Sequence, residues 1–169
     1  MEKIWLKSYP PGVPAEIDPA AVSSVREMAE SSFAAFPDRR AFTQMGATLT
    51  YRELDEHSRA FGAWLQKHAG LGRGNRLAIM LPNVLQYPIA MLGALRAGLT
   101  VVNTNPLYTA RELEHQLTDS GAAAILVLEN FAHVVQEVLP RTKVRTVLVT
   151  AVGDLLGAPK SWIVNAVVR

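Results

Sequence analysis

Two rhythms of apolar and polar residues divide this chain. From residue 76 onward, short unbroken apolar runs alternate with stretches in which apolar residues recur every three or four positions. Arg76–Leu81 is a continuous apolar run, the pattern of a strand buried on both faces, and Thr100–Asn103, Ala123–Leu128 and Thr146–Thr150 read as further strands. Between them, the stripe Val84, Pro88, Met91, Leu92 and Leu95, the pair Leu113 and Leu117, and the segment Phe131–Leu139 predict helices. Asn83 is expected to cap the first of these, and Thr109 with Glu112 forms a capping box for the second. Strand–helix alternation at this spacing predicts a parallel sheet with helices on its faces, joined by right-handed crossovers.

The earlier part of the chain reads differently. Residues 1–17 form an expected extended arm with Trp5, Tyr9 and a run of prolines. A helix is expected from Asp18-Pro19, with Asp as cap, Pro in the first turn and a stripe of Val22, Val25, Ala29, Phe33 and Phe36 before Pro37 ends it. Ala41–Thr50 predicts a hairpin turning at Gly46. Thr50 and Glu53 then form a second capping box, opening a helix with Leu54, Ser58, Phe61 and Leu65 on one face. Residues 18–150 are thus expected as one α/β unit, and 151–169 as the truncated start of a following segment, a helix cut mid-course.

Composition narrows the function classes. The chain has 49% hydrophobic and 19% charged residues, as in a globular protein. Its 17 basic and 15 acidic residues are interspersed and leave a net charge of +2, so no basic face points to nucleic acid. It has no cysteine, which excludes disulfides, thiolate metal sites and a cysteine nucleophile. No run approaches the roughly 18 apolar residues of a membrane-spanning helix, and the charged start lacks a signal peptide's apolar stretch. A cytoplasmic chain is the expectation.

Candidate chemistry is sparse. Gly70–Gly74 lies after a predicted helix and before a strand, the reverse of a phosphate loop, and there is no Gly-Gly or Gly-Lys pair. The loop therefore reads as a helix terminus and turn. Glu112-x-x-His115 has the spacing of a di-iron helix but occurs once, and His57, His68 and His133 have no ligand spacing. His115 and Asp119 are i, i+4 neighbours, yet no Gly-x-Ser-x-Gly elbow supplies a serine. Asn103-Thr-Asn-Pro-Leu-Tyr-Thr109 leaves the carboxyl end of a buried strand, where parallel sheets form ligand crevices. Asn103, Asn105 and Pro106 are accordingly candidate crevice residues, although satisfying loop backbone is the simpler role and the one the residues favour. Trp5 and Tyr9 are candidate anchors to a membrane surface or a second protomer, or else a strap over the chain's own core.

The stretch Met80-Leu-Pro-Asn-Val-Leu-Gln-Tyr-Pro through Gly98, continuing as Val101-Val-Asn-Thr-Asn-Pro-Leu-Tyr-Thr-Ala-Arg-Glu-Leu-Glu-His-Gln-Leu117, resembles bacterial long-chain fatty acid–CoA ligases. Thr48-Leu-Thr-Tyr-Arg-Glu-Leu54, Ile4-Trp-Leu and Tyr9-Pro10 extend the resemblance to nearly the whole chain. Ala110 stands where relatives commonly carry Pro, and the match loosens after Gly153. The resemblance implies the first subdomain of the large N-terminal domain of an adenylate-forming enzyme. It also implies a parent that activates a long-chain fatty acid with ATP and Mg²⁺ to an acyl-adenylate and passes the acyl group to CoA. The family's phosphate loop, Tyr-Gly-x-Thr-Glu segment, acidic hinge and catalytic lysine do not occur here. No catalytic, cofactor or metal residue is therefore assigned to this chain, which by itself is expected to be inactive and to bind no cofactor. A homodimer through the N-terminal arm, and a peripheral position at the inner face of the membrane, are further implications. The alternatives are an adenylate-forming ligase for another carboxylic acid, and a stand-alone non-catalytic binding or assembly module.

Overall fold

A computed structural model describes residues 2–168; Met1 of the arm and Arg169 of the tail lie outside the described residues. Its centre is a four-stranded parallel sheet of β3 (Arg76–Met80), β4 (Thr100–Asn103), β5 (Ala124–Leu128) and β6 (Thr146–Thr150), in the order β4-β3-β5-β6. A two-stranded antiparallel hairpin of β1 (Arg40–Gln44) and β2 (Ala47–Thr50) stands apart from it. Met45 and Gly46 at its turn both have positive φ, 49° and 81°, the backbone a two-residue turn between twisted strands requires.

Alternation along the buried strands sends their side chains to two layers. Leu77, Ile79, Leu126 and Leu128 pack with α2 (Tyr51–Lys67) and α3 (Gln86–Arg96) on one face. Ala78, Met80, Ile125 and Val127 pack with α4 (Ala110–Ser120) and α5 (Ala132–Val138) on the other. Behind α2 and α3 lies an outer cluster in which Phe33 of α1 (Val25–Ala35) and Leu49 of the hairpin meet Leu54, Leu85 and Leu92. Burial of this kind contributes roughly 1.5–3 kcal/mol per large side chain, so the three clusters dominate the fold's stability.

Helices α2 and α3 approach backbone to backbone. A Cβ on Gly93 would lie 2.8 Å from Phe61 Cδ1 and 2.9 Å from the Ser58 carbonyl oxygen, and one on Gly62 would lie 2.8 Å from the Gly93 carbonyl oxygen. Only glycine fits at that crossing. Arg96 locks the same region. Its guanidinium bonds the Asp55 carboxylate at 2.5 Å and the Asp55 carbonyl at 2.9 Å, approaches Glu30 at 3.5 Å, and lies over the Phe33 ring. One largely buried cation thereby joins α1, α2 and α3.

Both capping boxes are formed, Thr50 with Glu53 and Thr109 with Glu112. Two expected caps are not. The first helix begins at Val25, not at Asp18-Pro19, because Ser24 accepts from the Glu27 N–H at 3.1 Å while the Glu27 carboxylate accepts from the Ser23 N–H at 2.8 Å. That reciprocal pair outcompetes Asp18, which instead closes a local turn by accepting from the Ala20 N–H. Val22 and Val25 consequently stay exposed, and only Phe33 of the expected stripe is fully buried. Asn83 likewise caps nothing. Leu85 precedes α3, and its N–H donates to Gln44 Oε1 of the hairpin at 3.0 Å, a cap supplied from 41 residues away.

The arm is not wholly extended, since Ile4–Ser8 forms a turn of 3-10 helix. At the other end of the chain, α6 (Lys160–Val168) buries Val164 while Trp162, Ile163 and Val167 face solvent.

Candidate functional site

Strand order 4-3-5-6 puts β3 where the winding reverses, β4 leaving on one side and β5 on the other. The crevice outside the carboxyl ends of strands at such a reversal is where open α/β sheets bind ligands. A cleft of about 660 Å³ lies there. Its walls are Leu81, Pro82, Pro106, Leu107, Leu128, Phe131 and Val168, with Asn83, Asn105 and Asn130 as the polar points. The cleft is open and mostly apolar, with no charged side chain lining it.

The loop after β4 is held firmly. Thr104, buried, donates its N–H to the Ile79 carbonyl at 3.0 Å. Asn103 accepts from the Tyr87 hydroxyl at 2.7 Å through its side chain and from Gln116 Nε2 at 3.0 Å through its carbonyl. Asn105 turns the loop by accepting from the Leu107 N–H at 3.0 Å. Pro106 follows, leaving Leu107 at the rim 78% exposed. The Glu112 carboxylate closes the segment by accepting from the Thr109 N–H, a bond that holds its pKa below the usual carboxylate range. Of the three candidate crevice residues, Asn105 and Pro106 line the cleft, while Asn103 is engaged with α3 and α4 behind it.

The remaining lining residues were not singled out as site residues by the sequence reading, Asn83, Asn130 and Phe131 among them. Asn83, there expected as a cap, sits on the β3 loop. Asn130 and Phe131 follow β5 in a 3-10 turn over Glu129–Phe131. Asn130 donates from Nδ2 to the Val168 carbonyl at 2.6 Å, drawing the end of α6 against the cleft, and its buried Oδ1 has no hydrogen-bond partner among the described residues. The signal for them lay in strand order, since the loop after the continuous apolar run Ala124–Leu128 must open beside that of β3.

The other candidates are placed apart from this cleft. Trp5 and Tyr9 are 48% and 42% exposed, and no described residue before Phe33 is buried. Gly70–Gly74 joins α2 to β3, with the Gly72 N–H donating to Asn75 Oδ1 at 2.9 Å. His68 stacks on Trp64 of α2, and Glu112 is committed to its cap. Among the described residues no group of three His, Cys, Asp or Glu side chains is placed to hold a metal ion. No described helix is long and apolar enough to cross a membrane.

With this geometry in place, known proteins give a consistent comparison. The family model described as AMP-binding enzyme matches residues 29–167. A long-chain-fatty-acid–CoA ligase of Yersinia pestis is 56% identical over 169 residues, all of this chain and 30% of the relative. The ligase of the same description from Bacillus subtilis is 37% identical over 160 residues, covering 95% of this chain and 28% of the relative. The chain thus spans about 30% of the length of the curated relatives it matches. Among solved structures, a long-chain-fatty-acid-CoA ligase from Archaeoglobus fulgidus superposes with a TM-score of 0.72 at 23% identity, covering 94% of this chain and 32% of that one. A benzoate CoA ligase from Burkholderia xenovorans gives 0.69 at 25% identity, covering 74% of this chain and 25% of that one.

Proposed function

Since the chain belongs to the AMP-binding enzyme family, whose model covers residues 29–167, we propose that it is the N-terminal portion of a long-chain fatty acid–CoA ligase. The full-length protein activates the fatty acid with ATP to an acyl-adenylate and transfers the acyl group to CoA. The observation that carries this is identity of 50–56% across all 169 residues to long-chain ligases from four bacterial genera. Fold alone does not choose the acid, because benzoate and anthranilate ligases share it.

ATP, Mg²⁺ and CoA belong, in this reading, to the part of the protein that the chain does not span. The residues present do not fit them: the sequence has no Gly-Lys or Gly-Gly pair, and no described acidic or histidine cluster is placed for a metal. In this reading the chain supplies no residue to the chemistry and is expected to be inactive by itself. Its contribution is a rigid wall. Residues 18–150 are the α/β unit, and the Asn105–Pro106 loop, with Asn103 holding it from behind, lines an apolar crevice that excludes water from whatever the rest of the protein brings to it. The exposed Trp5 and Tyr9 support a surface role for the arm of residues 1–17, either in a homodimer or at the inner face of the membrane of a cytoplasmic protein.

A chimera tests the reading. Residues 1–168 replace the matching segment of an Escherichia coli relative, which is 52% identical over this stretch. ATP–pyrophosphate exchange with palmitate is expected from the chimera and not from the chain alone. Exchange by the chain itself, or a folded chimera active with benzoate and not palmitate, overturns it.

A further inference from the structure

Helix α6 supplies Val168 to the wall of the crevice, yet apolar packing does little to seat it on the sheet. Val164 is its one buried residue among the described residues. Polar bonds seat it instead, at three points. Near its start, Lys160 Nζ donates to the Met45 carbonyl in the hairpin turn. At its end, Asn130 Nδ2 donates to the Val168 carbonyl at 2.6 Å. Between them, Asn165 meets the turn that follows β6.

That middle contact is reciprocal. Asn165 Nδ2 donates to Asp154 Oδ1 at 3.0 Å, and Asn165 Oδ1 accepts from the Gly153 N–H at 2.7 Å. The second Asp154 oxygen accepts from the Thr150 hydroxyl and from the Ala151 N–H, both at 2.8 Å. Burial, the largest single influence on the Asp154 pKa, raises it, but these bonds outweigh burial and leave it lowered. An ionised carboxylate only accepts, so the nitrogen of the Asn165 amide must face Asp154 and its oxygen must face Gly153. The turn is itself held by two glutamines, Gln86 Nε2 donating to the Ala151 carbonyl at 2.8 Å and Gln44 Nε2 to the Val152 carbonyl at 3.4 Å. Gly153 makes the close fit possible. A Cβ there would lie 2.5 Å from Asn165 Oδ1 and 2.8 Å from the Ser161 carbonyl oxygen, which is backbone of α6.

We propose that Asp154 and Asn165 are positioning residues, a reciprocal latch that holds α6 in place as a wall of the crevice and so sets, on the ligase reading above, the shape the crevice presents to a substrate. Neither residue lines the crevice. Asn165 lies three positions before Val168, on the same side of the helix, so a shift at the latch is carried to the crevice wall.

Exchanging the two side chains tests this. Asp154→Asn alone leaves a donor facing a donor in any orientation of the two amides, and Asn165→Asp alone sets two carboxylates together. The double variant, Asp154→Asn with Asn165→Asp, restores all four bonds with the roles reversed. In the 169-residue chain, with circular dichroism confirming the fold, each single variant should speed hydrogen exchange of the Trp162–Val168 amides by about three- to tenfold, as expected for about one lost hydrogen bond, and leave the β3 and β5 amides unchanged. The double variant should return to within about twofold of the original rate. In the chimera described above, each single variant should raise KM for one of palmitate, ATP or CoA by at least about threefold with kcat within about twofold, and the double variant should restore it. Unchanged exchange in α6, a double variant no better than the singles, KM values that stay put while α6 loosens, or a loss confined to kcat overturns the proposal. A chimera inactive before any substitution counts against the ligase reading instead, and exchange alone then decides the latch.

Discussion

Replacing Gly93 by alanine tests the α2–α3 crossing most directly, because two opposing effects act there and their sizes differ. In an exposed helix the change would stabilise by roughly 0.8–1.0 kcal/mol through helix propensity. At this crossing the added methyl meets Phe61 Cδ1 at 2.8 Å, the Ser58 carbonyl oxygen at 2.9 Å and the Gly62 nitrogen at 3.2 Å. The Phe61 ring can turn aside, but the other two atoms are backbone of α2, so the helices must separate. Overpacking of a tight core costs about 1–3 kcal/mol, and separation also loosens Leu65 and Ala94, both 0% exposed. The larger effect wins, and a net loss of about 1–2 kcal/mol is expected. For a domain of this size that lowers Tm by about 2–8 °C in a calorimetric or circular dichroism melt. Gly72→Ala is the control, since its Cβ meets nothing within 4 Å, and it should leave Tm unchanged or raise it slightly. A Gly93→Ala protein as stable as the original would refute the close-approach reasoning.

Four further predictions concern polar anchors. Arg96→Met should destabilise by about 2–3 kcal/mol, since it leaves the Asp55 carboxylate without its main partner; denaturant melts read the loss, and an Asp55→Asn, Arg96→Met double variant should recover part of it. The Asp55 pKa is lowered: burial, the largest single influence, raises it, but bonds from Arg96 and Arg59 with their charges outweigh it. A depressed folded pKa gives stability that is full above the unfolded value and lost as pH falls through the folded one, so the stability gap between the original and Asp55→Asn should shrink below about pH 4. Gln44→Ala removes the acceptor for the Leu85 N–H and should cost about 1–2 kcal/mol, seen as faster hydrogen exchange in the first turn of α3. Thr109→Ala should cost about 1 kcal/mol and loosen the Asn105–Tyr108 loop in the same experiment.

What could be read from sequence followed from how local its physics was. The runs from Arg76 and Ala123 were legible as strands because burial on both faces leaves no polar alternation, and Thr146–Thr150, only partly buried, was legible from its place in the strand–helix alternation and its β-branched residues. Thr50–Glu53 and Thr109–Glu112 were legible because a capping box is complete within four residues. The first helix was misplaced because two capping signals lie a few residues apart, and reciprocal bonding by Ser23, Ser24 and Glu27 beats a lone Asp18. Asn83 was misassigned because the group that satisfies Leu85 comes from the hairpin. At the cleft, the Asn105–Pro106 wall was visible from its position after β4. The Asn130–Phe131 wall was hidden until strand order placed β5 beside β3. The Arg96–Asp55 pair was equally hidden, its members being 41 residues apart on different helices.

Gln44 sets a timetable for the chain as it leaves the ribosome. Its side-chain oxygen waits for Leu85 and its side-chain nitrogen reaches the Val152 carbonyl, 108 residues downstream. A nascent chain stalled after β5 has already paired β3 with both its neighbours, yet its hairpin still has one hand empty. Synthesis of the residues beyond β6 therefore completes the clamp on the hairpin, and an arrested chain cut short of Val152, which keeps the Leu49 cluster and the Leu85 bond, should show a hairpin slightly less protected than in the longer chain.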